Sequence, residues 1–170
     1  LGPRLFRDGT SVIMTSATLS VNGSLDYFCA RIGARQAEPL ILGSPFDHAR
    51  QMTICVTHEI SEPESENYAK ELPEWIMHSV DRSGGKALVL FTSSVMMRSM
   101  ASVLDSEFAS RGLRLIVQGV GGQRHALLEQ FKKDIHSVLF GLDSFWMGVD
   151  VPGEALEHVI ITRLPFAVPN

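Results

Sequence analysis

From residue 86 onward the chain alternates two hydrophobic patterns. Short apolar runs, Lys86-Ala-Leu-Val-Leu-Phe91, Leu113-Arg-Leu-Ile-Val117, Ser137-Val-Leu-Phe140 and His158-Val-Ile-Ile-Thr162, predict strands. Between them, Val95 to Ser110 places Met96, Met100, Val103, Leu104 and Phe108 on one helical face, and Gln123 to Lys133 predicts a second helix. Residues 141–153 read as a loop or short helix. Strands alternating with amphipathic helices argue for an α/β fold, a mostly parallel sheet with right-handed crossovers and flanking helices.

Upstream the pattern is less regular. Ser11-Val-Ile-Met-Thr15 predicts a buried strand opening into a loop, and Met52-Thr-Ile-Cys-Val-Thr57 alternates as a strand does. Asn22-Gly23 marks a turn, Ser24 reads as the cap of a helix through Ile32, and Gly33 as its stop. Residues 59–66 are acidic and contain Pro63, which predicts a solvated loop. From Glu66 to Asp81, Tyr68, Leu72, Trp75, Ile76 and Val80 recur at helical spacing, with a kink or restart expected at Pro73.

A length of 170 residues fits one domain, or one domain with a fragment of another, and leaves room for a core without covalent staples. Two cysteines, Cys29 and Cys55, are too few for a disulfide framework and favour a reducing compartment. No apolar run approaches the ~20 residues of a membrane span. The net charge of -4 does not announce a polyanion partner, although a local groove can be positive on an acidic chain.

Several chemistries lack their residues. Gly84-Gly85-Lys86 has neither the preceding Gly nor the following hydroxyl of a phosphate-binding Walker loop, and it precedes a strand, so it reads as a turn. Gly119-Val-Gly121-Gly122 does not match a dinucleotide fingerprint. The six histidines are scattered without metal-ligand spacing, and no GxSxG nucleophile elbow occurs. Cys29 reads as a small core residue on a helix. Ligands of such sheets gather at the carboxyl ends of the strands, which directs attention to the loops after residues 15, 91, 117, 140 and 162.

Those loops carry an ordered set of strings: Thr15-Ser-Ala-Thr-Leu19, Ser44-Pro-Phe46, Leu88-Val-Leu-Phe-Thr-Ser-Ser94, Val117-Gln-Gly119, Gly141-Leu-Asp-Ser-Phe-Trp-Met-Gly-Val-Asp-Val-Pro-Gly153 and Val159-Ile-Ile-Thr-Arg-Leu-Pro-Phe166. In order and spacing the set resembles superfamily 2 DNA helicases of the DinG-like branch that includes XPD, with motif III first, then motifs IV and V. The resemblance implies a RecA-like second motor domain over 21–170, incomplete before motif VI, preceded over 1–20 by the tail of domain 1. The run Pro165-Phe-Ala-Val-Pro-Asn170 directly after a strand is expected of an interrupted fold.

The resemblance also implies the chemistry. ATP with Mg2+ binds between two motor domains of the same polypeptide, and single-stranded DNA lies across both. Some relatives hold a 4Fe-4S cluster in domain 1, and a bacterial cytoplasmic, nucleoid-associated setting is implied. Movement would run 5′ to 3′, in repair or replication. Thr15, Ser16, Ala17 and Thr18 would couple the domains. Gly148 and Asp150 would meet ATP, Asp150 by accepting a ribose hydroxyl. Thr92, Ser93, Ser94, Gln118, Arg124 and Ser144 would contact DNA, mostly along its backbone. The family usually has an acidic residue where this chain has Met147.

Plainer roles compete at several positions. Ser93 and Ser94 also suit the cap of the helix at Val95. Phe145 suits the core better than base stacking, while Trp146 suits either. Arg124 also suits a solvated helix charge. A non-catalytic RecA-like or Rossmann-like binding module is the alternative at the level of function; a small-molecule α/β enzyme lacks any nucleophile, metal or dinucleotide signature.

Overall fold

A computed structural model describes residues 5–7 and 9–166. Residues 1–4 and 8 of the expected domain 1 tail, and residues 167–170 of the terminal run, lie outside the described residues. The chain divides into two compact units, Leu1–Cys55 and Val56–Asn170. The expected boundary near residue 20 falls inside the first unit.

The second unit is the α/β fold. Its strands are β1 (Ala87–Leu90), β2 (Arg114–Val117), β3 (Ser137–Gly141) and β4 (His158–Ile161). They form one sheet of order β2-β3-β1-β4, and every pair is parallel. Among the described residues of this unit the α-helices are α3 (Tyr68–Ser83), α4 (Ser94–Ser110) and α5 (Arg124–Lys133). Side chains alternate across the sheet. Ala87, Val89, Phe91, Val138 and Phe140 face α3 and α4. Leu88, Leu90, Ile116 and Leu139 face α5 and the 145–156 segment.

Topology explains this division. The chain passes from β1 to β2 in one direction across the sheet and returns from β2 to β3 in the other. Right-handed crossovers in opposite directions place their connections on opposite faces. Hence α4 and α5 lie on opposite faces, and the carboxyl ends of neighbouring β1 and β3 lead to opposite sides. That is a topological switch point, where a crevice opens.

Helix α3 runs unbroken through Pro73, so the expected restart does not occur. Proline leaves only the Ala69 carbonyl without its helical donor, and Ala69 is exposed to water. Burial of Tyr68, Leu72, Ile76, Met77 and Val80 holds the helix together. In α4 the inward face carries Met97, Met100, Leu104 and Phe108, with Val103 exposed and Met96 only partly buried. Gly84 ends α3 in the left-handed region, and Gly85 follows at φ 97° against the His136 backbone, so the Gly84-Gly85-Lys86 string is a turn.

The first unit contains helix α1 (Asp26–Ile32), stopped by left-handed Gly33, and the four-residue α2 (His48–Gln51). The Ser24 hydroxyl accepts from the Asp26 amide, although the cap position itself falls on Leu25. Cys29 is half-buried rather than in a core. Two expected strands do not form. Residues 11–15 and 52–57 have no regular structure, and Ile13 and Ile54 are 88% and 74% exposed. A strand exists only through a hydrogen-bonded neighbour, and neither segment pairs with one among the described residues.

Candidate functional site

The carboxyl ends of the four strands lie along one edge of the sheet. Going across it, β2 delivers Gln118, β3 delivers the 142–150 loop, β1 delivers Thr92 and Ser93, and β4 delivers Thr162 and Arg163. Residues spread from Thr92 to Arg163 in sequence are thereby brought to one side by parallel pairing alone.

The 142–150 loop is held by specific contacts. It begins with a 3-10 turn, Asp143–Phe145, closed by the Phe145 amide donating to the Leu142 carbonyl at 2.7 Å. Phe145 is buried in the α5-side core, as its core reading expects. It reaches that core across Gly141, where an added Cβ would fall 2.7 Å from the Phe145 Cβ. Trp146 is half-buried, packs at the margin of the same core, and directs its indole Nε1 at the Phe91 carbonyl 3.4 Å away. The loop from β3 thus touches the end of β1 across the switch point. Met147 is exposed, and Gly148 turns the chain at φ 66°. Ser144 and Asp150 are exposed.

Gln118 and Arg124 are turned into this loop. The Leu142 amide donates to Gln118 Oε1 at 2.7 Å, and Gln118 Nε2 donates to Ser144 Oγ at 3.1 Å. Arg124 Nε donates to the Ser144 carbonyl at 2.9 Å, and its Nη2 donates to the carbonyls of Met147 and Gly148 at 3.1 and 2.8 Å. Its guanidinium carbon stands 5.3 Å from the Phe145 ring centre, a cation–π distance. Arg124 is therefore no freely solvated helix charge.

At the end of β1, Thr92 and Ser93 are exposed. Ser93 caps α4, accepting from the Met96 amide at 3.3 Å. Ser94 is the first residue of α4, with Arg98 Nη2 3.5 Å from its hydroxyl. The capping role thus falls to Ser93; as an acceptor there, its hydroxyl proton stays free to donate outward.

The sequence pointed to the loop after residue 162 but gave Thr162 and Arg163 no role. Thr162 Oγ1 donates to the Leu90 carbonyl at 3.0 Å, and the Tyr68 hydroxyl donates to the Thr162 carbonyl. Burial, the largest influence on Tyr68, raises its pKa above the ordinary 10.0. Arg163 pairs with Glu64 at 2.6 Å on the surface, and Glu59, Glu62, Glu64 and Glu66 are all exposed, as a solvated run expects. Together with Thr92 and Ser93, Thr162 and Arg163 line a small nook between β1 and β4. Their signal was positional, since both directly follow a strand at the carboxyl edge. Nearby, the Ser61 amide and hydroxyl both donate to Glu71, at 2.7 and 2.8 Å, and hold its carboxyl below the ordinary 4.5.

Thr15, Ser16, Ala17 and Thr18 lie in the first unit, exposed. The Thr18 amide donates to Ser16 Oγ at 3.2 Å, so this string forms a tight local turn. Among the described residues no group of His, Cys, Asp and Glu is arranged to hold a metal, and no helix is long and apolar enough to cross a membrane.

Comparison with known proteins agrees with the geometry. Residues 76–170 match a family model described as the helicase C-terminal domain. The chain is 38% identical over 99% of its length to the ATP-dependent DNA helicase YoaA of Haemophilus influenzae, covering 26% of that protein. Against YoaA of Escherichia coli the identity is 39% over 94% of the chain and 24% of the relative. Against the 3'-5' exonuclease DinG of Bacillus subtilis it is 32% over the whole chain and 19% of the relative. The chain spans about a quarter or less of the length of these relatives.

Proposed function

Because this chain belongs to the helicase C-terminal domain family, we propose that it is the second RecA-like motor domain of an ATP-dependent DNA helicase of the DinG and YoaA kind, gripping single-stranded DNA and moving 5′ to 3′ in repair or replication. Residues 1–20 are, in this reading, the tail of the first motor domain, with Thr15, Ser16, Ala17 and Thr18 relaying closure between the two. Residues 21–170 are the second domain. One observation carries the proposal: Thr92, Ser93, Ser144 and the Gly148–Asp150 turn share the carboxyl edge of one parallel sheet, around its switch point.

The chemistry follows from what that edge presents. Thr92, Ser93 and Ser94 on one strand end and Ser144 on the next offer hydroxyl donors. Such groups suit phosphate oxygens and carry no sequence information. Gly148 lacks a side chain, so a nucleotide can approach its backbone, and the exposed Asp150 carboxylate accepts from a ribose hydroxyl. Nucleotide and DNA contacts then share one loop. Trp146 ties that loop to the Phe91 carbonyl, immediately before Thr92. A shift of residues 148–150 on nucleotide binding therefore reaches Thr92 through the Trp146 indole.

ATP is the substrate in this scheme, and Mg2+ would arrive on its phosphates, which need few protein ligands. A 4Fe-4S cluster does not fit this chain. Its two cysteines cannot supply four thiolates, so any such cluster would be ligated by the partner motor domain.

The test is binding of labelled oligo-dT by the chain at low salt, followed by fluorescence anisotropy. Thr92→Val and Ser144→Ala should each weaken binding about tenfold, from ~1.5 kcal/mol per hydrogen bond to a charged phosphate. Wild-type affinity in both variants would remove the DNA from this edge. Polarity is read separately, by strand displacement with the parent helicase on 5′- and 3′-tailed duplexes; displacement only from 3′ tails would refute the direction.

A further inference from the structure

Arg124 occupies an electrostatically awkward place. It is the first residue of α5, where the helix macrodipole is positive and a cation is disfavoured. Its side chain nevertheless stays half-buried. The planar fork explains why. Three backbone carbonyls of one loop, from Ser144, Met147 and Gly148, converge within 3.1 Å of two adjacent nitrogens of one guanidinium. Three aligned oxygens that close would leave the loop short of donors without it. Gly148 lets the loop turn at φ 66°, a conformation that favours glycine, and so brings its carbonyl to the fork.

Gln118 works on the same loop from the next strand. The Leu142 amide can only donate, so the group facing it must be the Gln118 carbonyl oxygen, Oε1. That leaves Nε2 as the group facing Ser144, donating to its hydroxyl oxygen. A hydroxyl that already accepts keeps its proton for a second partner. Ser144 is exposed, so this proton is available to an outside acceptor.

We propose that Arg124 and Gln118 are positioning residues that lock the 142–148 loop, presenting the Ser144 hydroxyl as a donor and the Gly148 backbone as a bare surface, and that neither contacts DNA directly. The consequence for DNA rests on the reading under Proposed function. The lock itself is a property of the free chain and is tested without DNA.

Two measurements on the full chain separate these. The first is amide hydrogen exchange at Leu142, Phe145 and Trp146, with acrylamide quenching of Trp146 in a Trp75→Phe background. Arg124→Lys keeps the charge and stem but not the fork, so it should speed exchange and expose Trp146 as Arg124→Ala does. Gln118→Ala should speed exchange at Leu142 above all. Should Arg124→Ala fail to fold, Arg124→Lys carries the test. The second is oligo-dT affinity against salt. A loop that holds its binding conformation a tenth of the time weakens apparent affinity about tenfold, and both Arg124 variants should show this with an unchanged salt slope. Three results overturn the proposal: loop exchange unchanged in both Arg124 variants, Arg124→Lys indistinguishable from wild type, or a slope shallower by ~0.7 in Arg124→Ala, as expected for one lost phosphate contact on a single strand. If wild type binds no oligo-dT, the DNA reading fails and exchange alone decides the lock.

Discussion

Gly141→Ala isolates the contact on which the loop is seated. Gly141 ends β3 without a positive φ, so alanine suits its backbone. The difficulty is steric. The new Cβ would lie 2.7, 2.9 and 3.1 Å from Cβ, Cγ and Cδ2 of Phe145, where carbon atoms prefer ~3.5–4.0 Å. Phe145 must therefore retreat by about 1 Å, yet its ring is 1% exposed and enclosed by the α5-side core. Overpacking of this kind costs ~1–3 kcal/mol, against ~0.4–1 kcal/mol returned by the stiffer unfolded chain. The difference spans about 0–2.6 kcal/mol, and the upper half applies because the closest clash is with the Phe145 Cβ, which cannot swing aside as a side-chain tip can. With a urea m-value of ~2 kcal/mol/M, the midpoint should fall by roughly 0.6–1.3 M. Urea unfolding followed by circular dichroism measures it. Phe145→Ala, which removes Cγ and Cδ2, should cost less in the Gly141→Ala background than in the wild type, because the two residues are in contact and their effects are not additive. An unchanged or raised midpoint, or strict additivity of the two changes, would refute the claim that Phe145 seats the loop over a required glycine.

Other consequences are as direct. Gly85→Ala should destabilise clearly more than Gly84→Ala: both have positive φ, but only at Gly85 would a Cβ lie 3.0 Å from backbone atoms of His136. Equal urea midpoints would contradict that. Tyr68→Phe should cost ~1 kcal/mol through the lost hydroxyl bond to Thr162. Because burial raises the Tyr68 pKa, the stability it confers is full below pH 10.0 and is lost as pH climbs through the raised value; the Phe variant should lack this alkaline limb. Glu71 behaves oppositely. Its depressed pKa confers stability above the ordinary 4.5 that disappears as pH falls through the lower folded value, and Glu71→Gln should flatten that acid limb in a pH series of unfolding midpoints. The chain alone, with no Walker loop in its sequence, should hydrolyse no ATP; DNA-stimulated turnover by a pure preparation would contradict the division of labour proposed for the two motor domains.

Much of the second unit was legible from residue order. Four apolar runs and the helices between them were placed within a residue or two, because consecutive apolar residues and helical spacing are local properties of the chain. The carboxyl-edge rule then located Thr92, Gln118 and Ser144 on one side of a sheet whose strand order the sequence does not state. The same local signal misled at 11–15 and 52–57: their patterns suit strands, but pairing is a property of the neighbour and not of the segment.

Side-chain roles depended on tertiary structure for the same reason. Nothing local distinguishes an Arg124 that reaches DNA from one whose fork closes on carbonyls 20 to 24 residues away. Likewise, the need for glycine at 141 is set by a ring four positions later that folds back over it. The sequence by itself determined which segments could be strands and helices, since that is written in spacing along one chain. Only the tertiary structure decided which donors meet which acceptors, because a hydrogen bond is fixed by the positions of two groups and the chain specifies them one at a time.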